Sequence, residues 1–89
     1  MKIKSGFVLE KVGTSHLAVA VGTRAKEFSG LVRMNETGAF LWGLLSEKDM
    51  TREELLEKVL SEYEDVTRER ALEDIVAFES RLKENGIIE

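Results

Sequence analysis

The side chains that carry out covalent or metal chemistry in other proteins are scarce here and poorly spaced for it. With no cysteine there is no thiolate nucleophile, no disulfide and no sulfur ligand, and the single histidine, His16, cannot assemble a multi-histidine metal site. His16 opens a predicted strand and reads as a solvent-facing residue. Carboxylates gather at Glu53, Glu54 and Glu57 and again at Glu62, Glu64 and Asp65, but no glycine-containing loop spaces their oxygens as a calcium site requires. They read as solvated helix faces. No catalytic residue, cofactor or metal is therefore assigned, and what remains is the chemistry of recognition: backbone groups at a sheet edge, apolar pockets and a few charges that set register.

Those features meet in Leu31-Val32-Arg33-Met34-Asn35-Glu36-Thr37-Gly38-Ala39-Phe40-Leu41-Trp42, where a short β-type run feeds directly into an aromatic-rich helix. Asn35 suits the N-cap, its side-chain oxygen accepting from an orphan amide of the first turn, and Glu36 sits where the helix dipole favours a carboxylate. Trp42, beside a stripe of Phe40, Leu41, Leu44 and Leu45, reads as core.

The elements that must hold this junction follow from pattern. Phe7 to Val12 and His16 to Val21 are β-rich runs around the compact turn Gly13-Thr14-Ser15, with Leu17, Val19 and Val21 alternating against His16, Ala18 and Ala20. Gly22 to Gly30 is a polar connection expected to be pinned to the core at Phe28, and Leu31 to Met34 is a third, short strand. The first helix runs from Asn35 to about Leu45, with Gly38 permitting close packing. Thr51-Arg52-Glu53-Glu54 has the capping-box form and opens a second helix through Leu55, Leu56, Val59, Leu60 and Tyr63. Thr67 caps a third helix running to about Asn85, where Gly86 suits the left-handed C′ position and Ile87-Ile88 folds back as an apolar tail.

Three strands followed by three helices predict a small α+β, winged-helix-like domain with a three-stranded antiparallel sheet, one domain over residues 1–89. The 43% hydrophobic and 34% charged content is that of a globular chain, and no apolar run approaches the roughly 20 residues of a membrane span. Lacking an apolar segment behind its basic N-terminus, the chain is expected in the cytoplasm. Seventeen acidic residues against 13 basic give a net charge of −4, which disfavours phosphate-backbone binding. A winged-helix DNA-binding transcriptional regulator stays as the alternative function, because Arg68 and Arg70 open the third helix.

On that helix Ala71, Leu72, Ile75, Val76, Phe78 and Leu82 cover an arc of roughly 160° at about 100° per residue, wider than a core-facing stripe needs. A bland explanation is that a small domain buries the whole arc. Beside Ala71 and Phe78 lies a strip of Arg70, Asp74, Ala77 and Arg81. If the third strand is an exposed edge next to this strip, unpaired backbone groups and apolar pockets lined by Val32, Met34, Ile75 and Phe78 would capture an extended peptide by strand addition. Arg33, Asp74 or Arg81 would then fix its register.

The chain resembles the PqqD family of peptide-recognition domains, used in making ribosomally synthesised and modified peptides. The residues that carry the resemblance are Val32 to Trp42 with Leu44-Leu45, the Thr51-x-x-Glu54-Leu55 opening, Tyr63 before Val66, and Asp74-Ile75-x-x-Phe78 leading to Leu82 and Gly86-Ile87-Ile88. Ser46-Glu47-Lys48-Asp49-Met50 departs from the family's short glycine-containing turn. The resemblance implies that a precursor's leader peptide adds as a strand beside strand three and lies against helix three. Peptide contacts would fall on Leu31, Val32, Arg33 and Met34 for strand pairing and on Ala71, Asp74, Ile75 and Phe78 for the helix wall. It also implies a non-catalytic adaptor whose second partner is a modifying enzyme, usually a radical SAM maturase, with no nucleic-acid or membrane partner.

Overall fold

The computed structural model describes residues 1–26 and 31–88, so the expected anchor Phe28 lies outside the described residues. Strands β1 (Phe7–Val12), β2 (Ser15–Ala20) and β3 (Val32–Met34) precede helices α1 (Glu36–Glu47), α2 (Arg52–Glu62) and α3 (Arg68–Glu84), with a 3-10 turn at Gly22–Lys26. The sheet is antiparallel in the order β1-β2-β3, as expected from the hairpin and the short third run. Gly13 takes φ 64° in the two-residue connection between β1 and β2, the left-handed conformation that tight hairpins need.

Each helix begins where a local acceptor satisfies its free amides. Asn35 accepts from the Gly38 amide at 2.9 Å, Thr51 and Glu54 form the reciprocal capping box, and Thr67 accepts from the Arg70 amide at 3.1 Å. The last helix closes with Gly86 at φ 69°. The Gly86 amide donates to the Lys83 carbonyl and the Ile87 amide to the Leu82 carbonyl, the paired bonds of a Schellman end. This turns the chain back so that Ile88 bridges Ile3 and both terminal isoleucines are buried.

The core lies between the sheet and the helices. Leu41, Leu45, Leu55, Val59, Ile75, Leu82 and Ile87 are its largest fully buried side chains, and Trp42 is buried among them as expected. The sheet's phase is less obvious. Ala18, Val32 and Met34 face the helices together with half-buried Phe7 and Leu9, so the bulkier Leu17 and Val19 of β2 point to the opposite side. Ala18 of the central strand has no exposed surface on that side. His16 shares that inner side, opposite Met34, and is half-buried rather than solvent-facing, because register puts it on the helix side of the middle strand. The arc on α3 is not wholly covered either: Ala71, Ile75, Phe78 and Leu82 are buried, while Leu72 and Val76 remain 39% and 38% exposed.

Candidate functional site

Among the described residues β3 has a hydrogen-bonded neighbour on one side only, β2, through the register His16 to Met34, Leu17 to Arg33 and Ala18 to Val32. Its outer edge flanks a groove of about 420 Å³. One wall is Val32, Arg33 and Met34, and the start of α1 supplies Asn35, Thr37 and Gly38. The other wall is a stripe of α3, Asp74, Ala77, Phe78, Arg81 and Leu82, and the hairpin residues Thr14 and Ser15 close one end.

Local sequence explains each wall. Val32 and Met34 point inward and are buried, whereas Arg33 points away from the helices, so β3 reaches the groove with its edge. Gly38 is needed where α1 meets β3: a Cβ there would stand 2.9 Å from the Met34 Cβ. On α3, Asp74, Ala77, Phe78 and Arg81 recur at helical three- and four-residue spacing and so line one face. At 1.5 Å per residue the stripe from Asp74 to Arg81 is about 10 Å long, which an extended peptide spans with about three residues.

The electrostatics are polar along this stripe. Asp74 is half-buried and pairs with Arg70 one turn back at 3.7 Å. Arg81 and Arg33 have no carboxylate within ion-pair distance among the described residues. Beyond Thr37 and Asp74 the groove borders a smaller cavity of about 260 Å³ that also touches Val59, Tyr63 and Val66. Burial pushes the Tyr63 phenol above its ordinary pKa, with Glu36 and Glu62 adding to the effect, so its hydroxyl keeps its proton through neutral pH. Its ring meets Phe40 edge-on at 5.7 Å.

Of the eight residues expected to touch a peptide, Val32, Arg33, Met34, Asp74 and Phe78 line the groove. Leu31 lies outside that lining and is 57% exposed, and Ala71 and Ile75 are fully buried behind the α3 wall. As the chain stands, those two shape the wall from behind instead of presenting surface to a guest, because the wall turns its Asp74–Phe78–Arg81 side outward. Ala77 and Arg81, noted in the sequence as a rim strip, belong to the lining. Thr14 and Ser15 of the hairpin turn and Thr37 of α1 join the lining without having been expected there, since nothing local marks a turn or a first helical turn as part of a groove built with α3. Among the described residues no three His, Asp or Glu side chains gather as a metal site would require.

The fold recurs in solved structures of leader-peptide complexes. The chain is similar to the structure described as TbiB1 in complex with the TbiA(beta) leader peptide, at TM-score 0.74 and 22% identity over 100% of this chain and 95% of that one. It is also similar to a lasso peptide synthetase B1 complexed with the leader peptide, at TM-score 0.70 and 23% identity over 97% and 93%. No curated protein matches the sequence. The family model for coenzyme PQQ synthesis protein D matches residues 9–88, which takes in all three helices and, but for the first residues of β1, all three strands, and the chain therefore belongs to the PqqD family.

Proposed function

We propose that this protein is a non-catalytic adaptor that captures the leader segment of a ribosomally made precursor peptide and presents it to a modifying enzyme. The observation that carries this reading is the edge of β3 that no other described strand pairs with, beside a groove walled by α3. An incoming strand would pair its backbone with that edge, which gives affinity without demanding a particular sequence. Its alternate side chains would enter the groove, where Met34 and Phe78 take apolar groups and Asp74 and Arg81 select charge. Val32 and Arg33 would supply the paired backbone, Leu31 would extend it, and Ala71 and Ile75 would hold the wall in place. Tethering the peptide near its enzyme raises its effective concentration there. Membership of the PqqD family makes a radical SAM maturase the proposed client.

A DNA-binding reading finds less support. Arg68 pairs with Glu57 at 3.3 Å and Arg70 with Asp74, so the cations that open α3 already face carboxylates.

The test is calorimetric titration of the protein with synthetic leader peptides of ribosomally made precursors, coupled to amide hydrogen exchange. The expected result is saturable binding and slowed exchange at Val32 to Met34. Binding without protection of that strand would place the peptide elsewhere.

A further inference from the structure

The side of the sheet turned away from the helices is apolar. Register sets Glu10, Leu17 and Arg33 in one row across the three strands, with Val8 beside Val19 on one flank and Val12 beside Ser15 on the other. Val8 and Val12 are 38% and 58% exposed, and Leu31, two residues before Arg33 in the same alternation, is 57% exposed. Leu17 and Val19 do not pack against the core cluster. Neither Glu10 nor Arg33 has an ion-pair partner among the described residues.

A row that reads acid, apolar, base is its own complement. A two-fold axis lying in the interface along β2 exchanges the β1 side of one sheet with the β3 side of another. Glu10 of each copy then meets Arg33 of the other, while Leu17 meets Leu17. Aligned sheets pack face to face about 10 Å apart with strands within about 30° of one another, which this axis permits, and a carboxylate and a guanidinium reach across that gap. From this geometry we infer that the outer sheet face is a contact between two copies of this chain. Two strands of six residues and one of three, about 4.8 Å apart and rising about 3.3 Å per residue, offer a footprint of roughly 240 Å² per copy, well under the ~800 Å² of a standard interface. The dimer is accordingly weak and concentration-dependent, and it leaves the groove on the other side of β3 open. This inference does not rest on the peptide-binding reading.

Sedimentation equilibrium from about 10 μM to 1 mM, the range suited to interfaces at the small end of the scale, tests it in the absence of peptide. The wild type should move toward the dimer mass as concentration rises. Glu10→Arg and Arg33→Glu should each weaken association about tenfold or more by setting like charges opposite one another, and the double reversal should restore it. Amide shifts that track concentration should map to Val8, Glu10, Leu17, Val19 and Arg33. A chain that stays monomeric throughout, or a dimer that the single reversals leave unchanged or the double reversal fails to rescue, overturns the inference. Circular dichroism of each variant separates lost association from lost fold.

Discussion

Gly38 and Met34 are packed so closely that a single methyl group on Gly38 would come within 2.9 Å of the Met34 Cβ, closer than side-chain carbons approach in folded proteins. The contact joins the first turn of α1 to β3 and sets one side of the groove. Because the obstructing atom is a Cβ and not a mobile chain end, either the strand or the helix must shift to admit a side chain there.

Gly38→Ala is therefore expected to destabilise the fold although alanine is the better helix former. Overpacking costs about 1–3 kcal/mol and the propensity gain returns about 1, which leaves a net loss of about 1 kcal/mol in chemical denaturation. Peptide affinity should fall further than stability, since the displaced element is the strand proposed to pair with the guest. A variant as stable as wild type with unchanged affinity would show that β3 and α1 tolerate separation.

Charge on the α3 wall is expected to control the guest. Asp74→Arg removes the wall's carboxylate and adds a further cation between Arg70 and Arg81, and Ala77→Glu places a carboxylate midway along the wall. Both positions keep exposed surface and stability should stay within about 0.5 kcal/mol of wild type. Calorimetric titration should show leader affinity reduced about tenfold or more in at least one of the two, with unchanged melting. Two unaltered isotherms would remove this wall from the binding site.

Ile75 separates support from contact. It has no exposed surface, so Ile75→Ala should cost about 2–5 kcal/mol through loss of buried methylenes and the cavity left behind. Ile75→Val should cost about 0.5–1.5 kcal/mol and leave the affinity of the folded fraction nearly intact, as measured by titration below the melting transition. A large affinity loss in the valine variant at full folding would make Ile75 a direct contact.

Acid should weaken the start of α2. The Glu54 carboxylate accepts from the Thr51 amide, and this hydrogen bond holds its pKa below the ordinary glutamate value. A depressed folded-state pKa means a contribution that is fully present above the unfolded value and lost as pH falls through the folded one. Comparing wild type with Glu54→Gln by urea unfolding, the stability difference should be constant at neutral pH and shrink below about pH 4. A difference that persisted into strong acid would assign the capping contribution to something other than the ionised carboxylate.

Much of this molecule is written in short stretches of its chain. Asn35, the Thr51–Glu54 box, Thr67 and Gly86 each act on amides or carbonyls within four or five residues, so helix ends are visible without any tertiary information, and β1, β2 and their tight turn follow from alternation and glycine. The run from Val32 to Trp42 likewise carried the family resemblance, and with it the expectation of a sheet edge beside the last helix. Which side of each element faces which neighbour is another matter. A one-residue change of register turns every side chain of a strand to the other face, and only packing reveals that Ala18 lies inward while Leu17 and Val19 lie outward, or that His16 sits half-buried on the helix side. On α3 the apolar arc contains Ala71, Ile75, Leu72 and Val76 alike. It took the packing of α1 and α2 against α3 to bury the first two, expose the last two, and leave Asp74, Phe78 and Arg81 on the wall that meets Thr14, Ser15 and Met34 across an open groove. Local bonds determine where elements begin and end, but burial depends on residues far apart in the chain.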